Sequence, residues 1–109
     1  MKKLSVPNAL IVFATLLSLH NYAAADISEQ RGEEIIYTVR QDCGSCHGLT
    51  LAGGLGPDLK AKRLQALPDT YLTKVIKEGI PNTPMPPWQA FFNDEEIQWI
   101  VMHLKRGTL

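Results

Sequence analysis

The chain has 109 residues, and its only two cysteines stand three positions apart with a histidine directly after them, as Cys43-Gly-Ser-Cys46-His47. Thiols this close cannot tie distant segments together as the disulfides of a small exported scaffold do. Their spacing is that at which two thiols add across the vinyl groups of a porphyrin while the adjacent imidazole binds its iron. Two other chemistries use similar pairs. A thiol-disulfide redox pair calls for a thioredoxin-like alternation of strands and helices, which the sequence lacks, and a zinc site calls for further thiol ligands, of which there are none. The expected cofactor is one haem c, covalently attached through Cys43 and Cys46, with His47 on the iron.

After residue 25 the histidines are His47 and His103 and the methionines Met85 and Met102, so few side chains can serve as the second axial ligand. Met85 sits in Pro81-Asn-Thr-Pro-Met-Pro-Pro-Trp88, where four prolines exclude both helix and central strand. A stiff loop of this kind suits a fixed task such as presenting a thioether to a metal. Met102 and His103 fall on a helical pattern, where packing or surface placement accounts for them, although His103 on the iron and Met85 in a core gap is the alternative. With His47 and Met85 both bound, no position stays open for a substrate, and the chemistry left is electron transfer without catalysis. Trp88 reads as a core or pocket residue whose indole N–H can reach a porphyrin propionate, and Phe91-Phe92 as packing.

Lys2 and Lys3 precede the apolar run Ala9 to Leu19, which leads to Ala23-Ala24-Ala25. This is the pattern of a secretory signal cleaved after residue 25, and the run is too short for the ~20 residues of a spanning helix. The expectation is an exported, periplasmic domain over 26–109, without stable membrane insertion. Such a domain is small enough that its own core is marginal without a staple, a metal or a cofactor. It carries 9 basic and 11 acidic side chains, which leaves no footprint for nucleic acid. Asp26-Ile-Ser-Glu29 has capping-box spacing ahead of Gly32, Ile35, Ile36 and Val39, predicting a first helix that ends before Asp42. Five glycines, at 44, 48, 53, 54 and 56, predict irregular backbone wrapped closely around something. A second helix starts at Pro68-Asp69 and stops at Gly79, and a third runs from an Asn93/Glu96 capping box to Gly107, burying Ile97, Ile100, Val101 and Leu104. Lys60, Lys62 and Arg63 form a short basic run that can serve as a docking edge for a redox partner, although such runs are usually only solvated faces. The predicted fold is all-α, with about three main helices around one haem.

The attachment signature, Gly56-Pro57-Asp58-Leu59, Met85-Pro86-Pro87 and the capped last helix together resemble the class I cytochromes c over nearly all of 26–109. The resemblance implies that the Pro57 carbonyl accepts a hydrogen bond from the free ring nitrogen of His47, that Leu59 lines the haem, and that Gly32 lets the first and last helices cross closely, normally against an aromatic partner. By this resemblance His103 takes that aromatic position, and the segment from Gly32 to Cys43 is longer than in many relatives. More narrowly, Gln41 to Leu51, Gly53-Gly-Leu-Gly-Pro57 and Thr83 to Trp88 are similar to the small NirC-type cytochromes of denitrifying bacteria. That likeness implies redox protein partners, among them a cytochrome cd-type nitrite reductase, served either as electron donor or in maturation of its special haem.

Overall fold

The computed structural model describes residues 26–109; the expected signal segment, 1–25, lies outside them. Helix α1 (Glu29–Thr38) passes into a π turn (Val39–Cys43), a short helix α2 (Gly44–His47), a glycine-rich loop, a helical turn α3 (Ala61–Leu64), α4 (Asp69–Glu78), a proline-rich loop and α5 (Asp94–Arg106). There is no strand among the described residues. The fold is all-α, as the patterns predicted.

Three local expectations need correction. The first helix is capped by Ser28, whose hydroxyl accepts from the Arg31 N–H at 3.2 Å, and not by Asp26. The chain also does not leave the helix before Asp42. Helical backbone continues to His47 because the π turn inserts into it, with the Gly44 N–H bonded to the Val39 carbonyl five residues back. A π turn holds one residue more than an α turn without breaking the helix, which accommodates the long spacing between Gly32 and Cys43. The third correction concerns the helix crossing. A Cβ on Gly32 would lie 3.6 Å from the Trp99 ring, so the aromatic partner of Gly32 is Trp99. His103 lies one turn further on, with its ring centroid 3.9 Å from that of Trp99.

Polar contacts fix the same crossing. Arg31 Nε donates to Glu96 Oε1 at 2.6 Å, while the second oxygen of Glu96 accepts from the Asn93 N–H at 2.9 Å. Asn93 Oδ1 in turn accepts from the Glu96 N–H, completing the predicted capping box. One carboxylate therefore starts α5 and ties it to α1. The Arg31 hydrogen bond and the Asn93 amide hold the Glu96 carboxyl below the usual range. The core is built from Ile35, Val39, Leu51, Leu64, Leu72 and Phe92 together with the α5 stripe Ile97, Ile100, Val101 and Leu104.

α4 ends as predicted at Gly79, with φ 70° and ψ −172°, a conformation open almost only to glycine. The next four residues form a turn. The Thr83 N–H bonds to the Ile80 carbonyl at 3.2 Å, with Pro81 second and Asn82 third at φ 61°, the residue choices of a type II turn. Thr83 Oγ1 also donates to the Ile80 carbonyl at 2.7 Å and accepts from the Met85 N–H at 3.3 Å. The Met85 carbonyl accepts from the Ile80 N–H, so Met85 is held by its backbone on both sides.

Candidate haem site

All seven residues singled out from the sequence, Cys43, Cys46, His47, Pro57, Leu59, Met85 and Trp88, line one cavity of about 590 Å³. Three segments bring them there. The π turn and α2 carry Cys43, Cys46 and His47; the loop after α2 carries Pro57 and Leu59; the proline-rich loop carries Met85 and Trp88.

The glycine-rich loop folds back onto the end of α2. The carbonyl of Cys46 accepts from the Gly56 N–H and that of His47 from the Gly53 N–H, both at 2.8 Å, which satisfies carbonyls that the helix end leaves without partners. His47 is thereby buried, and its Nδ1 lies 2.7 Å from the Pro57 carbonyl oxygen. With Nδ1 carrying the proton as donor, Nε2 keeps the free lone pair that a metal requires. Gly56 is needed for this approach, because a Cβ there would stand 2.7 Å from the imidazole ring.

Both cysteines are free and partly exposed. Burial pushes the Cys43 thiol up to about 11, and the neighbouring Asp42 carboxylate acts in the same direction. Thiol-disulfide exchange needs the opposite, a thiol whose pKa is lowered toward neutrality. The Cys43 thiol is therefore poorly suited to redox cycling. Among the described residues no further His, Cys, Asp or Glu gather into a metal-binding cluster, which bears against zinc.

The walls fit a porphyrin. Val39, Leu64, Leu72, Val75, Ile76 and Ile100 line the cavity, as a macrocycle buried on both faces requires. Apart from Leu64, these were legible only as buried stripes of their helices, since nothing in a stripe says that it faces a cavity and not another helix. Arg63 and Tyr71 line it as well and were not anticipated there. Trp88 packs near Phe91 and Phe92, with ring centroids 5.6 and 6.1 Å away, and its backbone N–H bonds to the Ile76 carbonyl. Met102 and His103 do not line the cavity. His103 Nδ1 instead lies 2.6 Å from Thr108 Oγ1, and burial, followed by the charge of Arg106, holds its pKa low.

The sequence model of the family described as "Cytochrome C oxidase, cbb3-type, subunit III" matches residues 29–104. Cytochrome c55X of Pseudomonas aeruginosa is 40% identical over 80 residues, which cover 73% of this chain and 67% of that protein. Among solved structures, the c-type cytochrome NirC matches with a TM-score of 0.72 at 40% identity, covering 73% of this chain and 94% of its own. Dihydro-heme d1 dehydrogenase NirN in complex with DHE matches with a TM-score of 0.59 at 31% identity, covering 64% of this chain and 15% of that much longer one. The attachment signature on a helix end, the carbonyl behind its imidazole and these likenesses together make the chain a member of the c-type cytochromes, in the group of cytochrome c55X and NirC.

Proposed function

We propose that this protein is a periplasmic electron carrier of the dissimilatory nitrite reductase system, delivering electrons to a cytochrome cd-type nitrite reductase. Residues 1–25 direct its export, and Cys43 and Cys46 would hold one haem c covalently, with His47 and Met85 as the residues that would bind its iron. A bound haem supplies a one-electron ferrous–ferric couple. The chain's own residues determine how that couple behaves. His47 is oriented by its hydrogen bond to the Pro57 carbonyl. The Ile80 to Thr83 turn holds the Met85 backbone at the cavity, and a methionine–histidine pair favours a higher potential than two histidines. Apolar walls keep water from the centre, which raises the cost of the ferric charge. Trp88 and Leu59 complete the pocket. The observation that carries the reading is the convergence of both thiols, the oriented imidazole and the only thioether of the proline-rich loop on one apolar cavity.

Rapid mixing of the reduced holoprotein with purified cytochrome cd-type nitrite reductase tests it. Reoxidation at least as fast as the reductase turns over is expected; no transfer above the spontaneous rate removes the donor role. The similarity to dihydro-heme d1 dehydrogenase favours a second reading, service in maturation of the reductase's special haem through a labile sixth ligand. Rapid carbon monoxide binding by the native ferrous protein would select it, since a firmly bound Met85 leaves no open site.

A further inference from the structure

Between His47 and Leu64 one residue alone is buried, Leu51 at 7% exposure. It does not line the cavity, so the protein itself covers its side chain, in the same cluster as Ile35, Val39 and the α5 stripe. Its backbone is unusual too. Leu51 has φ 58°, the left-handed region, where a Cβ crowds the following carbonyl and which glycine or asparagine occupies more readily than leucine. The turn that holds it there is closed by the Leu51 N–H on the Gly48 carbonyl at 2.8 Å. The other two positions of this loop with positive φ, 48 and 53, are glycines. A leucine at the third therefore points to a need for its side chain that outweighs the backbone cost.

That need is set by what the loop carries. The Pro57 carbonyl is bracketed by two backbone hydrogen bonds. One residue before it, the Gly56 N–H bonds to the Cys46 carbonyl; two residues after it, the Leu59 N–H bonds to the Leu51 carbonyl at 2.9 Å. The first bracket ties the loop to the end of α2, and the second ties it to a residue seated in the core. From 48 to 57 every other side chain is exposed or half-buried and none of them joins the core. We propose that Leu51 is a positioning residue: by anchoring the loop in the core it keeps the Pro57 carbonyl on Nδ1 of His47, 2.7 Å away, and so fixes the plane of the imidazole and tunes the reduction potential of the holoprotein. Hydrogen bonding behind an axial ligand is one of the levers on a haem potential. The effect on the potential rests on the reading of His47 as iron ligand. The hold on the hydrogen bond does not.

Hydrogen exchange of the His47 Nδ1 proton, followed by NMR in the ferrous holoprotein, reads the hydrogen bond directly, and a spectroelectrochemical titration reads the potential. Leu51→Ala empties the seat in the core, and Leu51→Val is the milder variant should the first fail to fold. Ile97→Ala is the control, because Ile97 is fully buried in α5 and lines no part of the cavity, yet its truncation cuts the core comparably. We expect exchange about tenfold faster in Leu51→Ala and about threefold faster in Leu51→Val, with a shifted potential in both. Leu51→Met, which keeps the volume, should stay within about twofold of the parent. Ile97→Ala should lower the denaturation midpoint while its exchange stays within about twofold and its potential is that of the parent. Exchange in Leu51→Ala or Leu51→Val no faster than in the parent, or an equal acceleration by Ile97→Ala, makes Leu51 an ordinary core residue and overturns the proposal. Faster exchange in the Leu51 variants, with His47 ring protons lacking the shifts that a coordinated porphyrin imposes, keeps Leu51 as the residue that holds the hydrogen bond and discards only the ligand reading.

Discussion

Replacing Gly79 by alanine should damage the Met85 loop far more than its position at a helix end suggests. The backbone there has φ 70° and ψ −172°, a region that costs a residue with a Cβ roughly 1–3 kcal/mol. The new methyl would also lie 2.6 Å from the Met85 carbonyl oxygen, 2.8 Å from the Pro86 carbonyl carbon and 2.9 Å from the Pro87 nitrogen. All three are backbone atoms of a segment stiffened by prolines, so no side chain can rotate away. Relief requires a shift of the whole loop, and overpacking of this kind costs about 1–3 kcal/mol more. Together the two effects give about 2–6 kcal/mol, a large share of the ~5–15 kcal/mol of a native domain. Gly107→Ala is the control. Its φ of 69° is equally left-handed, but the methyl meets only the Ala61 Cβ at 3.5 Å, leaving about 1–2 kcal/mol of backbone preference. Guanidinium denaturation of the ferric holoprotein measures stability, and the weak sulfur-to-iron band at the red end of its spectrum reports on the thioether. Gly79→Ala should lower the midpoint markedly and weaken the band, whereas Gly107→Ala should lower the midpoint slightly and leave the band intact. Equal effects of the two substitutions on stability, with the band unchanged in both, would refute the argument that the collision at Gly79 controls the Met85 loop.

Met85→Ala should keep haem stain on a denaturing gel, because Cys43 and Cys46 are untouched, yet lose the sulfur-to-iron band and lower the reduction potential in a spectroelectrochemical titration. Glu96→Gln should cost about 1–3 kcal/mol by denaturant titration, since it weakens both the α5 cap and the tie to Arg31. The folded-state pKa of Glu96 is lowered, so its contribution is present above the unfolded value of about 4.3 and is lost as pH falls through the lower folded value. The stability difference between parent and Glu96→Gln should therefore narrow below about pH 4. Gly32→Ala should be neutral or stabilising by up to about 1 kcal/mol in thermal melts, because the added methyl meets the Trp99 ring at an ordinary 3.6 Å and alanine favours the helix.

The site was legible in the sequence wherever chemistry leaves few choices. Two thiols and an imidazole at fixed spacing, and one methionine enclosed by prolines, admit few arrangements, and the structure brings all of them to one cavity. The α5 cap was legible for a similar reason: Asn93 and Glu96 satisfy each other within four residues. What escaped was decided by contacts distant in sequence or by small differences between local options. Ser28 and Asp26 are both good caps, and only the chain's approach to the Arg31 amide selects the former. The α3 turn is a single helical turn of four residues with a buried Leu64, too short for any periodicity to show. Assigning the aromatic partner of Gly32 to His103 assumed a fixed offset along α5, whereas the observed crossing selects Trp99, one turn earlier.

The π turn at Val39–Cys43 has an angular consequence. Along a uniform α-helix each residue advances the side chain by about 100°, so His47, eight positions after Val39, would point about 80° away from it. Absorbing one residue in the wider turn makes the interval effectively seven positions, and the offset falls to about −20°. Val39 and His47 accordingly look into the same cavity, while Gly32 and Ile35 upstream remain buried on the side that meets α5. The turn works as a phase adjuster between the half of the helix that packs the protein and the half that presents its metal ligand. Removing one residue from it would restore a uniform α-helix and keep the direction of the imidazole, whereas forcing the full sequence into α geometry would rotate the imidazole by about 100° away from its place.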